Sequence, residues 1–130
     1  MAHAENAELV AVASRDQAKA REFIERCAAQ VPLAHEPDAV SGYDELLARD
    51  DVDAIYLPLP TGLRTEWALK VAQAGKHLLC EKPCGTSLEE VERMVEACER
   101  AGVQFMDGVM FMHSDRLAKV REVMEDERTI

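Results

Sequence analysis

Short apolar runs alternate along this chain with longer stretches whose apolar residues recur at helical spacing, and that alternation limits the folds open to it. Residues 8–14 form an apolar run that ends in polar residues, as a buried parallel strand does. Asp16 then stands where a helix cap belongs, before a helix to about residue 29 with Ala20, Ile24, Cys27 and Ala28 on one face. Residues 31–35 read as a weak strand with Pro32 near its start, and 43–48 as a short helix. The next strand, 52–57, is stopped by Pro58 and Pro60. Thr61 is expected to cap the following helix, with Leu63, Trp67, Ala68, Val71 and Ala72 on its buried side and Gly75 just past its end. A strand at 77–80 follows, then the capping box Ser87-Leu88-Glu89-Glu90 and a helix carrying Val91, Met94, Val95 and Cys98, closed by Gly102. Residues 103–106 make a further strand, and 114–125 a charged amphipathic helix. Strands alternating with helices of about a dozen residues predict βαβ units, hence an α/β fold with a parallel sheet and helices on both faces.

Size and charge narrow the function classes. The chain has 130 residues, one domain or part of one, and its 48% apolar content can supply a core. The net charge of −10 argues against nucleic acid, which needs a basic face and stacking aromatics. No apolar run approaches the ~18 residues of a membrane span, and residues 1–6 lack the pattern of a secretory signal, so a cytoplasmic location is expected. Cys27, Cys80, Cys84 and Cys98 are therefore expected as free thiols. Cys80 and Cys84 have no Cys-x-x-Cys pattern or histidine pair to complete a metal site, so no metal is expected.

The segment Gly75-Lys76-His77-Leu78-Leu79-Cys80-Glu81-Lys82-Pro83 holds the strongest chemical candidate. Lys82 falls at the carboxyl end of a buried strand, where open α/β sheets bind ligands, and Pro83 stops the strand. Alone, the tripeptide reads first as a solvated surface turn, since most lysines are exposed without a role. His77 lies within a strand pattern and is read as packing, Trp67 as core. Asp107 and His113 lie near a strand end, Asp107 without an identifiable partner and His113 with the cleft, packing or solvent all open to it.

Larger pieces of the sequence change that balance. Tyr43-Asp44-Glu45-Leu46-Leu47, the run from Val52 through Tyr56-Leu57-Pro58-Leu59-Pro60-Thr61, Glu66-Trp67-Ala68, Ala74-Gly75-Lys76-His77 and Glu81-Lys82-Pro83 occur in one order and spacing. Across residues 8–119 the chain resembles the cofactor domain of the glucose–fructose oxidoreductase / inositol dehydrogenase / rhizopine-catabolism (Gfo/Idh/MocA) family. That resemblance implies a Rossmann-like domain over 1–130 that binds NADP or NAD, from an oxidoreductase moving hydride between the nicotinamide and a sugar, cyclitol or diol. It implies that Ser14 and Arg15, closing the family's second strand, meet the adenosine ribose. A guanidinium there suits a 2′-phosphate and favours NADP. Pro60 and Thr61 correspond to the loop beside the nicotinamide half. Glu81, Lys82 and Pro83 correspond to the family's signature turn, with Lys82 the catalytic group that orients a substrate hydroxyl and helps move its proton. Where many relatives carry a histidine three residues after the threonine, this chain has Arg64.

Two departures bear on activity. The family's opening strand and Gly-x-Gly-x-x-Gly turn have no counterpart here, and the carboxyl-terminal substrate domain is absent from the sequence. In the order 3-2-1-4-5-6 the missing strand is central. Its neighbours are expected to lose partners along their inner edges, where each buried unpaired backbone group costs about 1–3 kcal/mol. Little or no turnover is expected of the chain alone. The alternative reading is a non-catalytic binding or interaction module that self-associates through open sheet edges.

Overall fold

The computed structural model describes residues 6–33 and 35–125, apart from the side chains of Met112 and His113. Its elements alternate as the pattern requires. Strand β1 (Ala11–Ser14) leads through α1 (Gln17–Ala28) to β2 (Asp38–Ser41) and the short α2 (Tyr43–Leu47). Strand β3 (Ala54–Leu57), α3 (Thr61–Gln73), β4 (His77–Cys80), α4 (Leu88–Ala101) and β5 (Phe105–Asp107) follow. A 3-10 turn (Met110–His113) and α5 (Arg116–Glu125) complete the described chain.

Every strand pairing is parallel, as helical crossovers demand. The pairings form two separate sheets: β1 with β2, from Ala11↔Asp38 to Ser14↔Ser41, and β3-β4-β5 in sequence order. No ladder joins β1 to β3 among the described residues, so each keeps one edge without a strand partner. The expected gap in the sheet is where the structure parts.

The core belongs mainly to the three-stranded sheet. Ile55, Leu78 and Phe105 lie in register on one face, followed by Leu57 and Cys80. Ala68, Val71 and Ala72 of α3 and Met94 and Cys98 of α4 cover that face. On the opposite face Tyr56, Leu79 and Met106 lie in register, with Tyr56 and Met106 exposed. The smaller sheet buries Val40 and packs on α1, whose buried residues are Ala20 and Ile24. Val10, Leu46 and Leu47 pack against the larger core and tie the two parts together.

The helix ends follow local chemistry. Asp16 accepts the Ala18 N–H at 2.9 Å, a cap that contributes about 0.5–2 kcal/mol. Ser87 accepts the Glu90 N–H at 3.3 Å, half of the expected capping box. The Glu90 carboxylate turns instead to the N–H of Thr86 at 2.6 Å and its hydroxyl at 2.8 Å, and these donors hold its pKa below the usual carboxylate value. Gly102 ends α4 at φ 69°, a left-handed conformation that L side chains rarely adopt.

Three expectations are corrected. The weak strand at 31–35 is not formed at its described residues. The N–H groups of Gln30 and Val31 both bond to the Cys27 carbonyl, so the chain is still leaving α1 there. Pairing begins only after the buried Pro37, where the Asp38 N–H bonds to the Val10 carbonyl at 2.9 Å. Thr61 is not the cap of α3: Pro60 occupies that position, Thr61 is the first helical residue, and no side chain caps the end. Leu63 is exposed, and Arg64 takes the inward position instead.

Candidate functional site

Parallel pairing sets the carboxyl ends of β3 and β4 side by side, with Leu57 in register with Cys80. The Glu81 N–H extends the ladder by one bond to the Leu57 carbonyl at 3.2 Å. The loop carrying Pro60 therefore runs next to the turn Glu81-Lys82-Pro83, whose Lys82–Pro83 peptide is cis.

Arg64 fastens these two loops together. It is only 7% exposed, and its Nε donates to the Leu59 carbonyl at 2.5 Å. Its Nη1 donates to the Glu81 carbonyl at 2.7 Å and also to the Pro83 carbonyl. A planar guanidinium presents several donors in a fixed fork, so one side chain satisfies acceptors from both loops.

The acid of the turn is held from the other side. The Tyr56 hydroxyl donates to Glu81 Oε1 at 2.8 Å, and the Lys82 N–H donates to Glu81 Oε2 at 3.0 Å. The phenol is the larger cause, and the two donors keep the Glu81 carboxyl below its ordinary pKa. The same contact raises the Tyr56 pKa, because removing its proton would place a second anion beside Glu81. Gly108 closes behind them, its N–H donating to the Cys80 carbonyl at 2.7 Å. A Cβ at this position would lie 3.2 Å from both Glu81 Cα and Oε2, so the backbone approaches the acid closely.

Lys82 and Pro83 are exposed at the tip of this braced turn. The ammonium thus projects beyond the strand end on a backbone held on either side, with three donors to offer. Cys80, fully buried beneath the turn, has its thiol pushed up to about 12 by burial, and burial likewise raises the Cys84 thiol. Neither suits nucleophilic work at neutral pH.

The structure brings Pro60, Thr61, Glu81, Lys82 and Pro83 together and leaves Ser14 and Arg15 at the end of β1, in the other sheet. Ser14 Oγ accepts the Asp16 N–H at 3.3 Å, the Ser14 carbonyl accepts the Gly42 N–H at 2.7 Å, and Arg15 is exposed. His77 is exposed rather than packed as expected: Nδ1 accepts the Gln104 N–H at 2.9 Å, which puts the proton of the neutral ring on Nε2. Asp107 Oδ1 accepts the Val109 N–H at 3.1 Å. Trp67 is half-buried against the core, edge-on to Tyr43 with centroids 4.9 Å apart, and Lys70 Nζ lies 4.0 Å above its ring.

Sequence reasoning missed the bracing by Arg64 and Tyr56. It also missed Lys76, which is buried and donates to the carbonyls of Arg49 and Val52 at 2.6 Å each. For Arg64 a signal existed, because it shares a helical face with Ala68 and Val71 and lies on the apolar side.

A sequence model described as an oxidoreductase family with an NAD-binding Rossmann fold, GFO_IDH_MocA, matches residues 1–109. The chain belongs to the Gfo/Idh/MocA family. One curated Gfo/Idh/MocA relative, dTDP-3,4-didehydro-2,6-dideoxy-alpha-D-glucose 3-reductase of Saccharopolyspora spinosa, is 41% identical over 118 residues, covering 91% of this chain and 33% of the relative. D-xylose 1-dehydrogenase (NADP(+)) 2 of Haloferax volcanii is 36% identical over 120 residues, covering 92% and 35%. The 3-ketoreductase KijD10 of Actinomadura kijaniata, solved with TDP-benzene and NADP, superposes with a TM-score of 0.84 at 36% identity. That match covers 95% of this chain and 36% of KijD10. The chain therefore spans about a third of the length of the curated relatives it matches.

Proposed function

We propose that residues 1–130 are the dinucleotide-binding part of an NADP-dependent oxidoreductase acting on a sugar, cyclitol or diol. The observation that carries this reading is the exposed Lys82, held at a strand's carboxyl end on a turn braced by Arg64 and Glu81. The residues present suit the two ends of the cofactor: Arg15 and Ser14 the adenosine ribose and its 2′-phosphate, Pro60, Thr61 and the Glu81-Lys82-Pro83 turn the nicotinamide half. No glycine-rich phosphate turn lies among the described residues, so the pyrophosphate is not provided for by them. When bound, the nicotinamide supplies the hydride chemistry. Lys82 orients the substrate oxygen and holds the proton moving at that oxygen. Turnover further requires groups that define the substrate pocket, which this stretch does not supply.

Titration of the chain with NADP, NADPH, NAD and NADH tests the reading. Saturable binding is expected, with Arg15→Ala weakening NADP by roughly tenfold, about 1.4 kcal/mol, and NAD much less. Equal weakening of both contradicts the 2′-phosphate role. No saturation at millimolar cofactor removes cofactor binding as a property of this polypeptide.

The edges of β1 and β3 that have no strand partner among the described residues favour a second reading, an interaction module that pairs with another strand. Sedimentation of the chain with and without NADPH separates the two: self-association that cofactor does not affect supports the module.

A further inference from the structure

We infer that Arg64 is a positioning residue for Lys82, setting the ammonium by gripping the backbone on both sides of it. This rests on the reading of Lys82 given above and extends it to a residue outside the signature turn. Nη1 reaches the carbonyls of Glu81 and Pro83, the residues immediately before and after Lys82. The lysine side chain is exposed while the main chain on either side of it is held. Nε holds the Leu59 carbonyl at 2.5 Å, so the same group fixes the loop leading to Pro60 and Thr61.

The grip depends on what surrounds the guanidinium. It is sunk to 7% exposure, and the residues it bonds, Leu59, Glu81 and Pro83, lie just past the ends of the paired strands β3 and β4. Water has little access to replace a lost donor there, so removal of the fork would take a strong donor from two carbonyls at the turn and from that of Leu59. An arginine spent on solvation or on an acid would be exposed or ion-paired. This one meets only main-chain oxygens among its described partners. Glu81 adds a second hold on the same turn through the Lys82 N–H, from the Tyr56 side. The backbone of Lys82 is thus pinned from two directions, and the long flexible stem of the lysine starts from a fixed point. Fixing the origin of a flexible donor reduces the conformational entropy lost when it engages a ligand.

Backbone ¹⁵N relaxation of the whole chain tests the grip without cofactor. The Lys82 amide is expected near the order parameter of rigid backbone, about 0.85, and to fall toward or below about 0.6 in Arg64→Ala while Leu78 and Leu79 keep their values. Arg64→Lys, which retains a cation but not the fork, should fall between. An unchanged Lys82 amide in Arg64→Ala overturns the inference. Equal loosening of Leu78 and Leu79 does so too, since Arg64 would then be holding the sheet rather than the turn.

A double-mutant cycle on NADPH affinity then asks whether the grip acts through Lys82. Arg64→Ala should weaken NADPH about tenfold while leaving adenosine 2′,5′-bisphosphate binding unchanged, and should lose clearly less in a Lys82→Ala background, where only its hold on the Leu59 loop remains to be lost. Additive losses overturn the inference. Should Lys82→Ala leave NADPH affinity unaltered, the functional reading of Lys82 falls, while the relaxation data still decide the role of Arg64.

Discussion

Replacing Lys76 by methionine removes one buried ammonium while nearly preserving the length of its stem. In the native protein Nζ donates to the carbonyls of Arg49 and Val52 at 2.6 Å each, and the residue is 7% exposed. These contacts reach the segment that feeds β3, so they link the start of β4 to the start of its parallel neighbour. A hydrogen bond from a charged donor contributes about 1.5–3 kcal/mol. The two bonds share a single ammonium whose dehydration is common to both, which places the loss near about 2–4 kcal/mol rather than at their full sum. Lys76→Ala also removes the packing of the methylene stem and should lose about 1–2 kcal/mol more. Urea unfolding followed by the fluorescence of Trp67, half-buried against the same core, reports both variants. The midpoint should fall with the slope unchanged, as for a change in stability alone. A Lys76→Met variant within about 0.5 kcal/mol of the parent would refute the argument, and a loss confined to Lys76→Ala would assign the effect to the stem.

Two other outcomes follow from the turn itself. Because the folded pKa of Glu81 is depressed, its bonds stabilise the turn above the ordinary carboxylate range and are lost as pH falls through that lower value. Tyr56→Phe should move the Glu81 midpoint back up toward 4.5 in a carboxyl ¹³C titration, and an unmoved midpoint would show that the phenol is not the main cause. Cys80, with its thiol near 12 and no exposed surface, should resist iodoacetamide at pH 8 in the folded chain and react once it is unfolded; equal rates in both states would contradict its burial.

Much of the architecture was legible because its signals are local and redundant. Apolar runs ending in proline or glycine marked β3 and β4, and Asp16 and Ser87 marked the starts of α1 and α4 by capping chemistry. Strand β2 was displaced because Asp38-Ala39-Val40-Ser41 offers little apolar pattern and earns its place by pairing with β1, a contact distant in sequence. Thr61 misled because proline can take the cap position and a threonine follows it comfortably into the first turn. At the site, the strand-end position of Lys82 could be read from the chain, whereas its bracing could not. Arg64, Tyr56 and Gly108 reach the turn from α3, β3 and the segment after β5, and only the folded register makes them neighbours.

The parting of the sheet would give a mechanical role to any ligand that spans it. Arg15 and Lys82 ride on separately laddered rafts, joined by side-chain packing rather than by a shared row of backbone bonds. A molecule gripping both would serve as a strut across the seam, and part of its binding free energy would appear as resistance of the rafts to coming apart. Filling the site would then also brace the seam between the sheets.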